Sequence, residues 1–486
     1  MRNAQLHAVS ESRAASVAKP LRGMLLACSI AVALSACAHL DAPDPGTTYE
    51  KAMRGTEVPS RWAASDESQQ AAFQPSWIGF GDSGELAALI AEALEHNRDL
   101  QAAATRVESA RLLSELAGAR LKPNVDLNGR YSTDATELPQ AQGYLSMSMV
   151  QMSWELDLWG MARAGIKSEE ANLRSVSADY AYARESIAAA VARAWLLVIE
   201  GQQQQELAQR LEDDAREYAK LLATSQRIGK ASELDVAQAE AQVHAYAGAV
   251  RRWEQTQLQA RRALEVLLGR YPSASIATRE ELPELDSSLP AGLPLALIER
   301  RPDLVAARQR FESAFFKSEQ ARVAKLPNVM MTMGAGNVSS DYALFKGGMD
   351  KFVSPIGLRF SLPIFDGGRR QTVLEIRNSE QEQANVLYAR TILRAMQEVE
   401  NAMSAENLLA LRANELSEQV GDVERTIGLA KVAHEVGKVD RFEILQREMS
   451  LYQARSTLLG VRSQRLAERV NLHLALGGSF SASTPG

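Results

Sequence analysis

Asp99–Val125 reads DLQAAATRVESARLLSELAGARLKPNV, and Asp303–Val329 reads DLVAARQRFESAFFKSEQARVAKLPNV. The two stretches agree at 14 of 27 positions without a gap, at an offset of 204 residues, and both close on Pro-Asn-Val. Further along, the identities continue at an offset of 208: Ser153 and Gly160 meet Ser361 and Gly368, Gly229-Lys230 meets Gly437-Lys438, and Leu268-Gly269 meets Leu476-Gly477. The chain is an internal duplication, and the change from 204 to 208 is a four-residue insertion in the second copy. Insertions usually lie in loops, so a loop is expected between Val125 and Ser153 and its equivalent.

Each copy has one order of patterns. Apolar and small residues recur at helical spacing over residues 97–122 and 302–326, with Pro302 suited to a first helical position, and each run stops at a proline. Val125, Leu127 and Tyr131 then alternate with Asp126, Asn128, Arg130 and Ser132, the period of a strand with one apolar face; Val329, Met331 and Met333 repeat this in copy two. A turn-rich loop leads to a second alternating segment, clearest at Ile356, Leu358, Phe360 and Leu362 against Gly357, Arg359 and Ser361. Each copy therefore predicts a hairpin. After Gly160 and Gly368 the pattern is helical to Ile228 and Val436, and a run of about 65 residues at 1.5 Å per residue reaches roughly 100 Å. A short turn, IGKASELD or VGKVDRFE, precedes a return helix. On the last of these, Phe442, Leu445, Met449, Tyr452, Leu459, Leu466 and Val470 form a heptad seam broken by Ser456 and Ser463.

The 486 residues carry 54 basic and 60 acidic side chains, a near balance that argues against a nucleic-acid surface as the dominant feature. Aromatic residues are 6% of the chain, which favours long helices over a compact aromatic core. A basic leader with Arg2, Arg13, Lys19 and Arg22 precedes an apolar run from Met24 to Leu34, too short to span a bilayer. It reads as a secretory signal over residues 1–36, with Met24 as a second possible start. The run ends Leu34-Ser35-Ala36-Cys37, which resembles a bacterial lipobox; that resemblance implies diacylglycerol and N-acyl (palmitate) chains on Cys37, and Ala38 after it favours the outer membrane. Cys28 leaves with the signal, so one cysteine remains and no disulfide is expected.

Amphipathic strands in lipid must close into a barrel, because an open sheet edge leaves backbone groups unpaired. Four strands per chain fall short of the roughly eight that the smallest outer-membrane barrels use, so the strands must be shared among subunits. Here the chain resembles the TolC-like outer-membrane efflux channels, in the lipid-anchored OprM and NodT-like branch. The resemblance is carried by the lipobox, SWIGFGDSGELAALIAEALEHNRDL, WELDLWG against LPIFDGGRR, IERRPDL between the copies, and the paired GK turns with terminal LLG and LALGG. It implies a mainly α protein with a membrane β-barrel part: a homotrimer whose duplicated helix-hairpin-long-helix units make a twelve-stranded β-barrel and a twelve-helix α-barrel. The expected segments are residues 37–85 before the repeats, repeats at 86–270 and 293–478 with a linker at 271–292, and a tail at 479–486. The implied function is a passive duct in a tripartite efflux system, lipid-anchored in the outer membrane. Its implied partners are a periplasmic adaptor (membrane fusion) protein, an inner-membrane pump of the RND type, and outer-membrane lipid. The exit channel of a type I secretion system and a non-conducting periplasmic coiled-coil lipoprotein remain as alternatives.

No Walker loop, GxSxG elbow or HExxH helix is present, and the six histidines form no ligand spacing, so neither an enzyme nor a cofactor site is expected. In the resembled family the two turns dock the adaptor, which points to Ile228, Gly229 and Lys230, and to Val436, Gly437 and Lys438. Acidic residues just beyond them ring a constriction. Asp235 and Glu443 each lie six residues after the turn glycine, and a ring of such carboxylates would favour cations. The same spacing from Ser232 and Asp440 fits a capping box. Where OprM-like relatives often carry aspartate, this chain has Gln446, so closure falls to Glu443, Asp235 or apolar Phe442. Tyr131, Trp154, Trp159 and Phe360 fit either membrane-interface anchoring or buried packing.

Overall fold

The computed structural model describes residues 44–56, 58–64, 84–134, 143–279, 281–285, 294–340 and 349–480. The leader, Cys37 and the first part of SWIGFGDSGEL lie outside them. Copy one consists of α2 (Arg98–Ala119), β1 (Asn124–Asp134), β2 (Gly143–Leu156), α3 (Met161–Arg227) and α4 (Glu233–Leu267), preceded by α1 (Gly84–His96). Copy two consists of α5 (Pro302–Val323), β3 (Asn328–Ser340), β4 (Met349–Val353), β5 (Ile356–Ser361), α6 (Arg369–Glu435) and α7 (Arg441–Ala475). The duplicated helices match in length: α3 and α6 have 67 residues each, α4 and α7 have 35 each.

The described residues divide into two compact units: those within 44–52, 108–175 and 308–387 form one, and those within 53–107, 176–307 and 388–480 the other. The first holds the sheet, ordered β1-β2-β3 with β4 and β5 both on the far side of β3. Both pair with β3 in one register, Gly336 with Val353 and Met333 with Ile356. The fourth strand is therefore a single strand interrupted at Ser354-Pro355, where proline has no N–H to give the ladder. Gly334 N instead donates to Pro355 O at 2.8 Å. In the half of the sheet that holds β5, cross-strand register puts Leu127, Val150, Ala335 and their neighbours Trp154, Met331 and Leu358 on one apolar face; farther along, that face carries Ser146, Ser148, Asn337 and Ser339. Asp126, Gln151, Thr332 and Gly357 lie on the other. Copy one meets copy two at β2 and β3, where backbones approach so closely that a Cβ on Gly336 would lie 2.1 Å from Ser148 O.

The four-residue insertion is not in a loop. Residues 135–142 and 341–348, outside the described set, are equal in length; copy two instead has two additional cross-strand pairs, Ser339↔Asp350 and Ser340↔Met349. Adding two residues to each arm preserves the period-two alternation, whereas an odd number in either arm would turn the faces over.

In the same unit α5 lies along the start of α3. Ser168 Oγ donates to Ser313 O at 3.1 Å, Arg174 donates to Gln309 at 2.7 Å and to Glu312 at 2.6 Å, and Lys167 stands over the Phe316 ring.

The second unit is cored by α1 and the middle of α3, with Leu86, Ile90, Trp195, Ile199, Leu264 and Val470 buried together. IERRPDL is a hub within it. Pro302 holds Arg301 in an extended conformation (φ −75°, ψ 122°), and the buried guanidinium meets Asp303 at 2.8 Å, Glu398 of α6 at 2.9 Å and Ala475 O of α7 at 3.0 Å. On α7 the buried band is wider than one heptad seam. Ser456 and Ser463, which interrupt that seam, are polar contacts: Ser456 Oγ bonds Gln204 at 2.6 Å, and Ser463 bonds Glu200.

The two return helices end alike and are fastened differently. Buried Glu265 accepts the backbone N–H groups of Ala274 (2.7 Å), Ser275 (2.7 Å) and Ile276 (3.0 Å), holding Ala274 at φ 61°. Its equivalent at offset 208, His473, contacts Ser479 O at 3.0 Å and packs edge-on against Phe480. Burial works against the Glu265 charge, but the three N–H donors outweigh it and hold the carboxyl below its usual range. Its contribution to stability is accordingly full above the ordinary glutamate pKa and is lost as pH falls through the lowered folded value. Glu265→Ala should strand buried N–H groups and lower stability by about 2 kcal/mol, read as faster limited proteolysis across residues 270–276 at neutral pH.

Candidate gate and docking turns

Both turns lie in the second unit and are built by one device. Gly229 (φ 74°) and Gly437 (φ 72°) take the left-handed conformation that ends a helix. Gly229 N donates to Gln226 O and Lys230 N to Ser225 O; Gly437 N donates to His434 O and Lys438 N to Ala433 O, at 2.8–2.9 Å. The last carbonyls of α3 and α6 are thus satisfied, and the side chains beside them are free to face outward. Ile228 and Val436 are each 65% exposed, and Lys230 and Lys438 are exposed beside them.

The carboxylates six residues on are not equivalent. Asp235 closes a capping box: it accepts Ser232 N at 2.8 Å and Ser232 Oγ at 2.7 Å, while Asp235 N donates to Ser232 Oγ at 3.2 Å. Those hydrogen bonds hold its carboxyl below the usual range. At α7 the expected second box is absent, because Asp440 makes no side-chain cap and Glu443 turns to Arg447, 2.6 Å away. The copy-one equivalent of Arg447 is Ala239, which has no charge to draw Asp235 off its cap.

Phe442 and Gln446 face α3. Phe442 meets Tyr218 edge-on at 5.5 Å between ring centroids, and Gln446 Nε2 donates to Tyr218 OH at 3.0 Å. Arg441 adds an ion pair to Glu217 of α3 at 3.2 Å, and Glu448 of α7 pairs with Lys431 of α6 at 2.9 Å. Between these sits Asp214 of α3, its Oδ2 buried without a hydrogen-bond partner among the described residues. Burial, then the neighbouring Glu448 and Glu217 carboxylates, push its pKa up to about 6, against the opposing pull of Arg441. Sequence reading missed this cluster. Asp214 and Glu217 lie one turn apart on α3, as Arg441 and Glu448 lie two turns apart on α7, but their meeting depends on how α3 and α7 pack.

The profile of the outer membrane efflux protein family matches residues 89–270 and 293–478. This chain belongs to that family. It is 27% identical over 471 residues to the pyoverdine export outer membrane protein OpmQ of Pseudomonas aeruginosa, covering 93% of this chain and 97% of that one. Identity to the cation efflux system protein CusC of Escherichia coli K12 is 27% over 472 residues, 93% of this chain and 99% of that one. The fold matches the crystal structure of CusC (TM-score 0.74, 24% identity, 90% and 99% coverage) and the open state of the Neisseria gonorrhoeae MtrE outer membrane channel (TM-score 0.77, 24% identity, 91% and 98%). The chain is thus an outer membrane efflux protein, and its fold, mainly helical with a sheet part, is that of these solved channels.

Because the folded-state pKa of Asp214 lies above the unfolded value of about 3.9, the folded state binds the extra proton between these values and stability falls as pH rises across that window. Asp214→Asn should therefore raise the thermal midpoint at pH 7.5; the gain should shrink as pH falls through about 6 and vanish near pH 4, measured by circular dichroism.

Proposed function

We propose that this family member works as a homotrimeric, passive duct through the outer membrane, anchored by lipid on Cys37, and exports small molecules delivered by an RND-type inner-membrane pump through a periplasmic adaptor. One observation carries the reading: an apolar face that crosses β1, β2, β3 and β5 over half of the sheet's height, on a sheet whose two outer edges have no strand partner among the described residues. In lipid such edges require closure with further copies, and three copies of the four-strand set give twelve strands. The polar face then lines the pore. The names of the relatives span pyoverdine, cations and toluene, which supports drugs, toxic compounds or metals as cargo and fits a duct whose cargo is selected by the pump.

In this reading the exposed turns Ile228–Lys230 and Val436–Lys438 dock the adaptor, and Asp235 and Glu443, once per subunit, line the constriction beside them. Phe442 and Gln446 support that constriction by binding α7 to α3.

Purified protein in planar bilayers should show cation-selective conductance at neutral pH, and the Asp235→Asn, Glu443→Gln double variant should lose most of the cation preference while still conducting. Absence of conductance from a correctly sized oligomer would overturn the duct. Cys37→Ser should abolish metabolic labelling with palmitate, and retained label would remove the anchor.

A further inference from the structure

One end of the sheet meets the helices of its own unit around a cavity of about 360 Å³, within the size range of small-molecule sites. β2, β3 and β5 supply Glu155, Asn328 and Ser361 to its lining. Asn328 pairs with Ser361, and strand alternation puts all three on the polar face of Gln151, Thr332 and Gly357. The first residues of α3 and α6, Met161 and Arg369, line the cavity as well. Beside them stands Trp159, whose indole Nε1 donates to Pro327 O at 2.6 Å and so fixes a flat apolar wall.

The charges around this cavity fall into a committed set and an uncommitted one. Asp157 accepts Ala162 N at 2.9 Å, Arg163 N at 3.0 Å and Arg163 Nε at 3.1 Å, and Arg370 meets Asp366 at 2.9 Å. Glu155 and Arg369 make no side-chain hydrogen bond or ion pair among the described residues, with each other included, and neither do Asn328 and Ser361. The repeat ties the two free charges together. At offset 208 the equivalent of Glu155 is Pro363 and that of Arg369 is Met161, and both of these line the same cavity. Copy one therefore gives the carboxylate and copy two the guanidinium; had the copies stayed alike, the cavity would hold two like charges.

We propose that this cavity binds a zwitterionic small molecule whose ammonium and carboxylate groups are separated by a flat apolar body. The ammonium pairs with Glu155 and shares Asn328 and Ser361 as neutral hydrogen-bond partners, the carboxylate pairs with Arg369, and the body lies against Trp159. A lone anion of the same shape would leave Glu155 uncompensated, and a lone cation would leave Arg369 so, which makes the two charges together a selection against singly charged molecules. The polar face lines the pore in the duct reading, so the ligand's role as cargo in transit rests on that reading, whereas its binding does not.

The test is isothermal titration calorimetry on the full-length protein in lipid nanodiscs, with empty nanodiscs as the blank. The probes are a biphenyl carrying an aminomethyl group at one end and a carboxylate at the other, and the two biphenyls that carry only one of these groups. The zwitterion should bind the wild-type protein about tenfold more tightly than either singly charged probe. Glu155→Gln should cost the zwitterion about tenfold in affinity and leave the carboxylate probe unweakened. Arg369→Met, which installs the copy-one residue, should cost the zwitterion about tenfold and leave the amine probe unweakened. The comparison of probes on wild-type protein decides the matter even where a variant fails to fold. A zwitterion that binds no more tightly than the singly charged probes, or that binds both variants as well as the wild type, overturns the site. In planar bilayers, protein that conducts but does not bind the zwitterion overturns the site and leaves the duct standing; protein that binds it and does not conduct overturns the duct and leaves the site.

Discussion

A sheet edge in lipid cannot be left bare, and this chain has two. Among the described residues β1 has no outer partner and neither has the β4–β5 strand, and in lipid such edges would have to be paired from outside the chain. Duplication satisfies the constraint economically. If the edge of copy two accepts the edge of copy one by the rule that already joins β2 to β3, one chain supplies both an interface and its complement. The two residues added to each arm of the second hairpin obey the same constraint, since only paired residues added to both strands leave the faces and the register unchanged.

Away from the sheet, α3 and α6 are too long to be held by one core. Apolar packing is concentrated around Trp195 and Ile199, and other parts are fixed by discrete polar contacts: Arg301 with Asp303 and Glu398, Arg469 with Glu406, and Gln204 with Ser456. Such contacts are directional. Replacing a buried ion pair with hydrocarbon is often neutral for stability, so their value here is in axial register: helices carrying similar small residues over 35 to 67 positions could otherwise slide by a turn. The serines that break the α7 seam fit this role, because each meets a polar partner on α3 at one height only.

What was legible in the sequence followed local periodicity. Alternation at Val125–Tyr131 and Ile356–Leu362, the glycines at both turns and Pro302 announced strands, reversals and a helix start that need only neighbouring residues to form. The Ser232–Asp235 cap was legible for the same reason. The features that escaped depend on a third residue or a second helix. Glu443 has capping spacing but is captured by Arg447, Asp214 has its pKa raised by burial and then by Glu448 of α7 and Glu217, and the insertion has no signature that distinguishes a longer arm from a longer loop.

The divergence between copies is concentrated where the copies have different neighbours. At one repeat position, Glu265 binds three backbone N–H groups and His473 packs on Phe480; at another, Asp235 caps its own helix and Glu443 pairs along its own. The start of α4 is consequently held by bonds internal to itself, while the start of α7 is held to α3 by Arg441, Phe442 and Gln446. A conformational change at the turns therefore has unequal demands at the two sites. Moving α7 away from α3 must break an ion pair, a ring contact and a hydrogen bond beside an acid that repels its neighbours when charged. Moving α4 breaks none of these, because its cap travels with it. Protonation of Asp214 removes that repulsion at the α3–α7 contact, whereas the hydrogen bonds of the α4 cap hold the Asp235 carboxyl below its usual range.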